Sequence, residues 1–146
     1  MKNILVALDL GEASQKALEH GRTLAGFFGA SLHLLCVVQD PFSLPWAPQA
    51  QHETLVALLG QMQQDARAHL EQLTTAEDRG KFRAQLVTRV GKPATEILDY
   101  AREHSIDLIV MGRYGHGSPV AAARLGSVAD AVAREAACPI LLVPAA

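Results

Sequence analysis

Four short stretches of this sequence are apolar almost without interruption: Ile4 to Leu8, Leu32 to Val38, Leu108 to Met111 and Ile140 to Val143. Runs this short do not make typical helices. With no polar residue at every second place, they read as strands buried on both faces. Stripes of three- and four-residue spacing separate them, which is the period of an amphipathic helix. Ala13, Ala17, Gly21, Leu24 and Phe28 form one stripe, closed by Gly29. Leu55, Leu59, Met62, Ala66, Leu70 and Leu73 form a second, over about Glu53 to Leu73. Pro93 suits the first position of a third helix, which carries Ile97, Leu98 and Ala101 and ends near His104. Val128, Val132 and Ala136 mark a fourth. Between the second and third helices, Phe82, Ala84, Leu86 and Val90 alternate with Arg83, Gln85 and Arg89. That period of two predicts a strand with one solvated face, at a sheet edge. The order is β-α-β-α-β-α-β-α-β, the pattern of an α/β domain whose parallel sheet is covered by helices, here one domain over residues 1–146. The proline-rich stretch Asp40 to Pro48 reads as a loop, and the polar stretch Thr74 to Lys81 as a surface connection.

The composition removes several classes of function. Hydrophobic residues make up 49% of the chain, too many for disorder, and the formal net charge of -2 offers no basic surface for nucleic acid. No apolar run approaches the length of a membrane span, roughly 20 residues. The start at Met1-Lys2-Asn3 enters a strand directly and lacks the regions of a signal peptide, so a cytoplasmic location is expected. Cys36 and Cys138 sit in apolar stretches and read as buried reduced thiols; no CxxC or Cys/His cluster suggests a metal site.

In open α/β sheets, ligands bind beyond the carboxyl ends of the strands, where the strand order reverses. Two strand ends here carry polar or flexible residues. Asp9 follows the first strand, and Gly112-Arg113-Tyr114-Gly115-His116-Gly117 follows the fourth. Glycines allow close backbone approach, and successive exposed N–H groups can surround an anion. Downstream, Ser127 with Asp130 has the form of a capping box, so Ser127 is expected to cap the last helix. A helix start offers N–H donors and partial positive charge to a phosphate, and Gly126 lets an oxygen approach its own N–H. Alone, this arrangement is equally that of a tight connection with an ordinary cap.

Gly112-x-x-Gly115 followed by Gly126-Ser127 resembles the nucleotide motif of universal stress proteins: glycine, two residues, glycine, about nine residues, then glycine with serine or threonine. The opening Ile4-Leu5-Val6-Ala7-Leu8-Asp9 resembles the family's first strand, and Asp107 to Gly112 its fourth. Leu125 to Ala129 and Cys138-Pro139-Ile140-Leu141-Leu142-Val143-Pro144 resemble its closing segment, so the resemblance spans the whole chain. It implies a three-layer, Rossmann-like fold of the adenine nucleotide alpha hydrolase type, with a five-stranded parallel sheet in the order 3-2-1-4-5. It also implies a stress-response protein binding ATP or a related adenine nucleotide. Asp9 would then lie at the ribose or adenine side, Val37 would meet adenine, and Gly112, Gly115, Gly126 and Ser127 would hold ribose and phosphates. Mg²⁺ or Mn²⁺ would be held mainly by the phosphates. The fifth strand is a wholly apolar edge, and a homodimer formed through it, as in the family, would cover it.

Two departures stand out. Ten residues separate Gly115 from Gly126, and Leu10-Gly11 stands where the family often has Gly-Ser. Several residues have two readings. Asp9 is either a ligand contact or the cap of the first helix. Arg113 is either a phosphate ligand or a solvated loop side chain. Trp46 packs over a nucleotide edge or plugs its own loop. No base or nucleophile is fixed beside His116, and the segment after the first strand matches no ATP-cleaving loop, so at most weak ATP hydrolysis is expected. The alternative to a nucleotide-binding regulator is a nucleotide-free structural or interaction dimer of the same fold.

Overall fold

The computed structural model describes residues 1–9, 12–113 and 125–144. Five strands, β1 (Asn3–Leu8), β2 (Ser31–Val38), β3 (Gln85–Val90), β4 (Leu108–Gly112) and β5 (Ile140–Val143), form one sheet in the order β3-β2-β1-β4-β5. Every neighbouring pair is parallel, with Ile4 opposite both Leu32 and Leu108, and Ile109 opposite Ile140. The helices are α1 (Glu12–Phe28), α2 (His52–Leu73), α3 (Ala76–Gly80), α4 (Pro93–Glu103) and α5 (Ser127–Glu135).

The sheet has a core on each face, which is why its central strands are apolar throughout. Ile4, Val6 and Leu8 of β1 point toward α1 and α2, where they pack with Ala17, Leu18, Ala66 and Leu70. Leu5 points the other way, toward Ile97 and Tyr100 of α4 and Ala129 and Val132 of α5. Helix α1 lies especially close to the sheet: a Cβ on Gly21 would come within 2.5 Å of Val6 Cγ2. Gly29 ends α1 with φ of +65°, a left-handed conformation that glycine adopts without strain.

Four local expectations are corrected. The stretch 74–81 is not simply a surface connection. Thr75 and Asp78 form a capping box that nucleates α3, and Asp78 is fully buried against Arg22 of α1. The Asp40–Pro48 loop contains the short 3₁₀ turn Pro41–Ser43 and leads into a second, Ala47–Gln49. Strand β3 begins at Gln85 rather than Phe82, because Arg83 adopts a φ of +50° that breaks the strand and leaves Phe82 buried in the core. β3 is indeed an edge, yet neither of its faces is open: Leu86 and Val90 pack toward α1 and α2, and Val87 packs on the opposite face. Of the polar members of the alternation, Gln85 is exposed, whereas the two arginines lie along the fold, Arg83 reaching the Ser31 hydroxyl and the Gly29 carbonyl. Arg89 stacks over Tyr100, 5.0 Å from the ring centre, and pairs with Glu103.

Candidate functional site

The carboxyl ends of β1, β2 and β4 open into a cavity of about 320 Å³. Ala7, Leu8 and Asp9 come from the end of β1, Leu35, Val37 and Gln39 from that of β2, and Met111 and Gly112 from that of β4. Pro93 and Ile97 of α4 and Val128 and Ala129 of α5 form the cover, and Ser14 of α1 closes the side. The volume lies at the low end of the small-molecule range, roughly 300–1,000 Å³. A larger groove of about 530 Å³ runs between α4 and the turn before β5, past Leu98, Ile106 and Cys138. It lies away from the carboxyl ends of the strands. The smaller cavity is the stronger candidate, because it sits where the strand order reverses and gathers polar groups over an apolar floor.

Three of the expected site residues, Asp9, Val37 and Gly112, therefore meet in one cavity. Asp9 is fastened to α1: the Ser14 hydroxyl accepts its backbone N–H at 2.6 Å and donates to its Oδ1 at 2.7 Å. Asp9 is thus joined to the first turns of α1 and lines the cavity. Burial, with the Asp9 charge adding to it, pushes the Cys36 thiol up to about 11, so this cysteine stays protonated and inert.

Arg113 and Gly126 join the two halves of the site through their backbones. The Gly126 N–H donates to the Arg113 carbonyl at 2.8 Å, and the Arg113 N–H donates to the Val143 carbonyl at 2.9 Å. The Gly126 N–H is therefore occupied rather than offered to a ligand. Gly126 itself takes the capping position of α5, in extended conformation, and Ser127 becomes the first helical residue. The expected Ser127 cap is thus displaced by one residue. Helix geometry leaves the N–H groups of Ser127, Val128 and Ala129 without partners inside the helix, and the last two of these residues line the cavity. Gly115 lies outside the described residues, as does His116. Trp46 is 46% exposed and does not line the cavity.

Ser14, Gln39, Pro93, Ile97 and Met111 were not anticipated as site residues. A signal existed for Ser14: it opens the buried stripe of α1 that continues through Ala17, Leu18, Gly21 and Ala25, and a hydroxyl on such a stripe needs a partner.

Beneath the cavity, α4 is tied to the sheet by a polar cluster. Tyr100 Oη lies 2.6 Å from His33 Nδ1, and His33 Nε2 lies 3.2 Å from Asn3 Oδ1. A neutral His33 that accepts from Tyr100 and donates to Asn3 satisfies both contacts. Burial, helped by the nearby His104, holds the His33 imidazole below its ordinary value, and burial raises the Tyr100 hydroxyl.

The sequence matches the model of the Universal stress protein family over residues 1–144. The chain belongs to the universal stress protein family. A universal stress protein of Methanocaldococcus jannaschii is 33% identical over 145 residues, covering 97% of this chain and 81% of the relative. Among solved structures, the universal stress protein UspA from Lactobacillus plantarum is 30% identical and superposes with a TM-score of 0.73, over 97% of each chain. A second Methanocaldococcus jannaschii universal stress protein is 25% identical and reaches 0.82, over 98% of this chain and 95% of its own. Two more distant universal stress protein structures, 20% and 19% identical with TM-scores of 0.64 and 0.59, are complexes with cAMP and, for the protein of Archaeoglobus fulgidus, with dAMP. The strand order of this chain is that of the family fold.

Proposed function

We propose that this universal stress protein binds an adenine nucleotide, ATP above all, in the cavity at the ends of β1, β2 and β4, and acts as a nucleotide-dependent regulator. The observation that carries this reading is the convergence of Asp9, Val37 and Gly112 on one cavity beside the α5 N-terminus. The order of the strands suggests how a nucleotide would lie. The apolar slot by Leu35 and Val37 is on the β2 side and suits a base. The α5 start, with its N–H donors, is on the β4 side and suits phosphates. The cAMP and dAMP complexes of distant relatives agree with a nucleotide of this class.

Mg²⁺ or Mn²⁺ would travel with the nucleotide, held mainly by its phosphates. Ser14 does not serve as a nucleophile in this reading: it is 3% exposed and its proton is committed to Asp9.

The reading extends to a cytoplasmic homodimer joined through β5. Ile140, Leu141 and Leu142 on that edge are only partly buried and bear no charge. Among the described residues, no helix is long and apolar enough to cross a membrane.

Calorimetric titration with Mg-ATP tests the site, together with a Ser127→Asp variant. An aspartate at the first helical position favours the helix dipole yet opposes a phosphate. Micromolar binding that the folded variant loses supports the proposal. Absence of binding at millimolar ATP overturns it. The outcome would then favour a nucleotide-free dimer, a reading supported by the occupied Gly126 N–H and the ten-residue spacing.

A further inference from the structure

We infer that the last turn of α1 docks on an anionic phospholipid surface through two exposed phenylalanines flanked by two cations. This turn leads through Gly29 and Ala30 into the start of β2, where the Ser31 N–H donates to the Lys2 carbonyl. It therefore lies at the amino ends of the strands, across the sheet from the cavity, and the inference is independent of the nucleotide reading.

Helix α1 ends beyond the core it covers. By spacing, Phe28 continues the stripe of Ala17, Gly21 and Leu24, yet it is 44% exposed. Phe27 is 82% exposed, the most of any large hydrophobic side chain among the described residues. The two rings meet edge to face with centres 5.3 Å apart, so they form one apolar tip rather than two scattered residues. Gly26 to Gly29 are all exposed, and a Cβ on Gly29 would meet nothing within 4 Å. The tip is thus convex.

A cation stands on each side of it. Arg83 donates from Nη2 to the Gly29 carbonyl at 3.3 Å and from Nε to the Ser31 hydroxyl at 3.0 Å. Lys81 Nζ lies 5.4 Å from the centre of the Phe82 ring, and that ring backs Gly26, where a Cβ would come within 3.7 Å of it. Among the described residues neither cation has a carboxylate partner, and Asp78, the acid nearest to both in sequence, is committed to Arg22. Shape and charge together indicate the occupant. A convex tip has no groove to hold a peptide, whereas phenylalanine rings enter the soft boundary between lipid headgroups and acyl chains. Uncompensated lysine and arginine beside them are drawn to the negative surface of anionic lipids. Two rings and two cations give reversible, salt-sensitive binding rather than an anchor.

Vesicle flotation at millimolar lipid tests this, with vesicles of equal parts phosphatidylcholine and phosphatidylserine against vesicles of phosphatidylcholine alone. The wild type is expected to partition into the anionic vesicles more strongly by roughly tenfold or more. That preference should disappear at about 1 M salt, which shortens the screening length to about 3 Å. Phe27→Ser should weaken partitioning roughly tenfold, and Lys81→Gln about fivefold, with both variants folded by thermal unfolding. Equal partitioning into the two kinds of vesicle overturns the inference, as do variants that float like the wild type. Absence of flotation also overturns it. Self-association in sedimentation that Phe27→Ser removes would then make a second copy of the chain the occupant. Should Phe27→Ser fail to fold, Lys81→Gln reads the same surface with both rings in place.

Discussion

Asp78 and Asp9 lie at opposite ends of the sheet, one just before the start of β3 and the other just past the end of β1. Asp78 is fully buried and receives Arg22 Nε at 2.8 Å, Arg22 Nη2 at 2.7 Å and the Thr75 N–H at 2.9 Å. Burial acts to raise its carboxyl, but the hydrogen bonds from Arg22 and Thr75 outweigh that and hold it below the ordinary value. Its charge is answered by a cation within the protein, and its role is to clamp α3 onto α1. Asp9 is held from one side by an uncharged serine and lines a cavity. The comparison sets apart two placements of one side chain: a carboxylate sealed against a cation inside the fold, and one that lines a cavity at the strand ends.

Breaking the clamp should have the largest effect. Arg22→Met leaves Asp78 as a buried charge without its cation and should cost about 3–5 kcal/mol in chemical denaturation. Nucleotide affinity of the remaining folded protein should not change; a parallel fall in affinity would show that the two ends are coupled. Asp9→Asn should do the reverse. Calorimetry should show ATP binding weakened by about 1.5–3 kcal/mol, with stability changed by less than about 1 kcal/mol.

Acid should then separate polar groups of the fold by their pH windows. The folded state holds His33 below its ordinary 6.5, so the unfolded chain takes up the proton first. Stability is complete above that value and declines as pH falls beneath it, by up to about 1.4 kcal/mol per pH unit, until the folded-state value is reached. His33→Gln should flatten this slope in denaturation curves taken at stepped pH. The depressed Asp78 behaves differently: its contribution is present above the ordinary 3.8 and is lost only as pH falls through its lower folded value. The smallest effect is expected at Asp130, whose pair with Arg134 at 3.0 Å is solvent-exposed. Arg134→Ala should shift stability by no more than about 0.5 kcal/mol.

The sheet was legible because each central strand is buried on both faces, so its apolar run cannot be mistaken for half of an amphipathic pattern. Asp9 and Gly112 were legible because they stand where such runs stop. Val37 was placed by the family resemblance alone. Pro93 and Ile97 were seen only as members of a helix, since nothing in their spacing tells which turn of α4 overhangs the strand ends. Helix α3 escaped notice because five residues carry no periodic stripe; Thr75 and Asp78, three apart, were its one trace. The offset at Ser127 has a related cause. A serine followed by an acid three residues on looks the same whether it caps the helix or begins it, and the first helical bond, from the Asp130 N–H to the Gly126 carbonyl, decides in favour of the glycine.

The bond from Gly126 to Arg113 works like the clasp of a necklace. Its two residues are thirteen positions apart along the chain and one hydrogen bond apart in space. Beads can be added beyond a clasp without moving it, and closing a longer loop costs little, only about 0.6 kcal/mol for each doubling of length. The fastening itself holds the end of β4 against the start of α5.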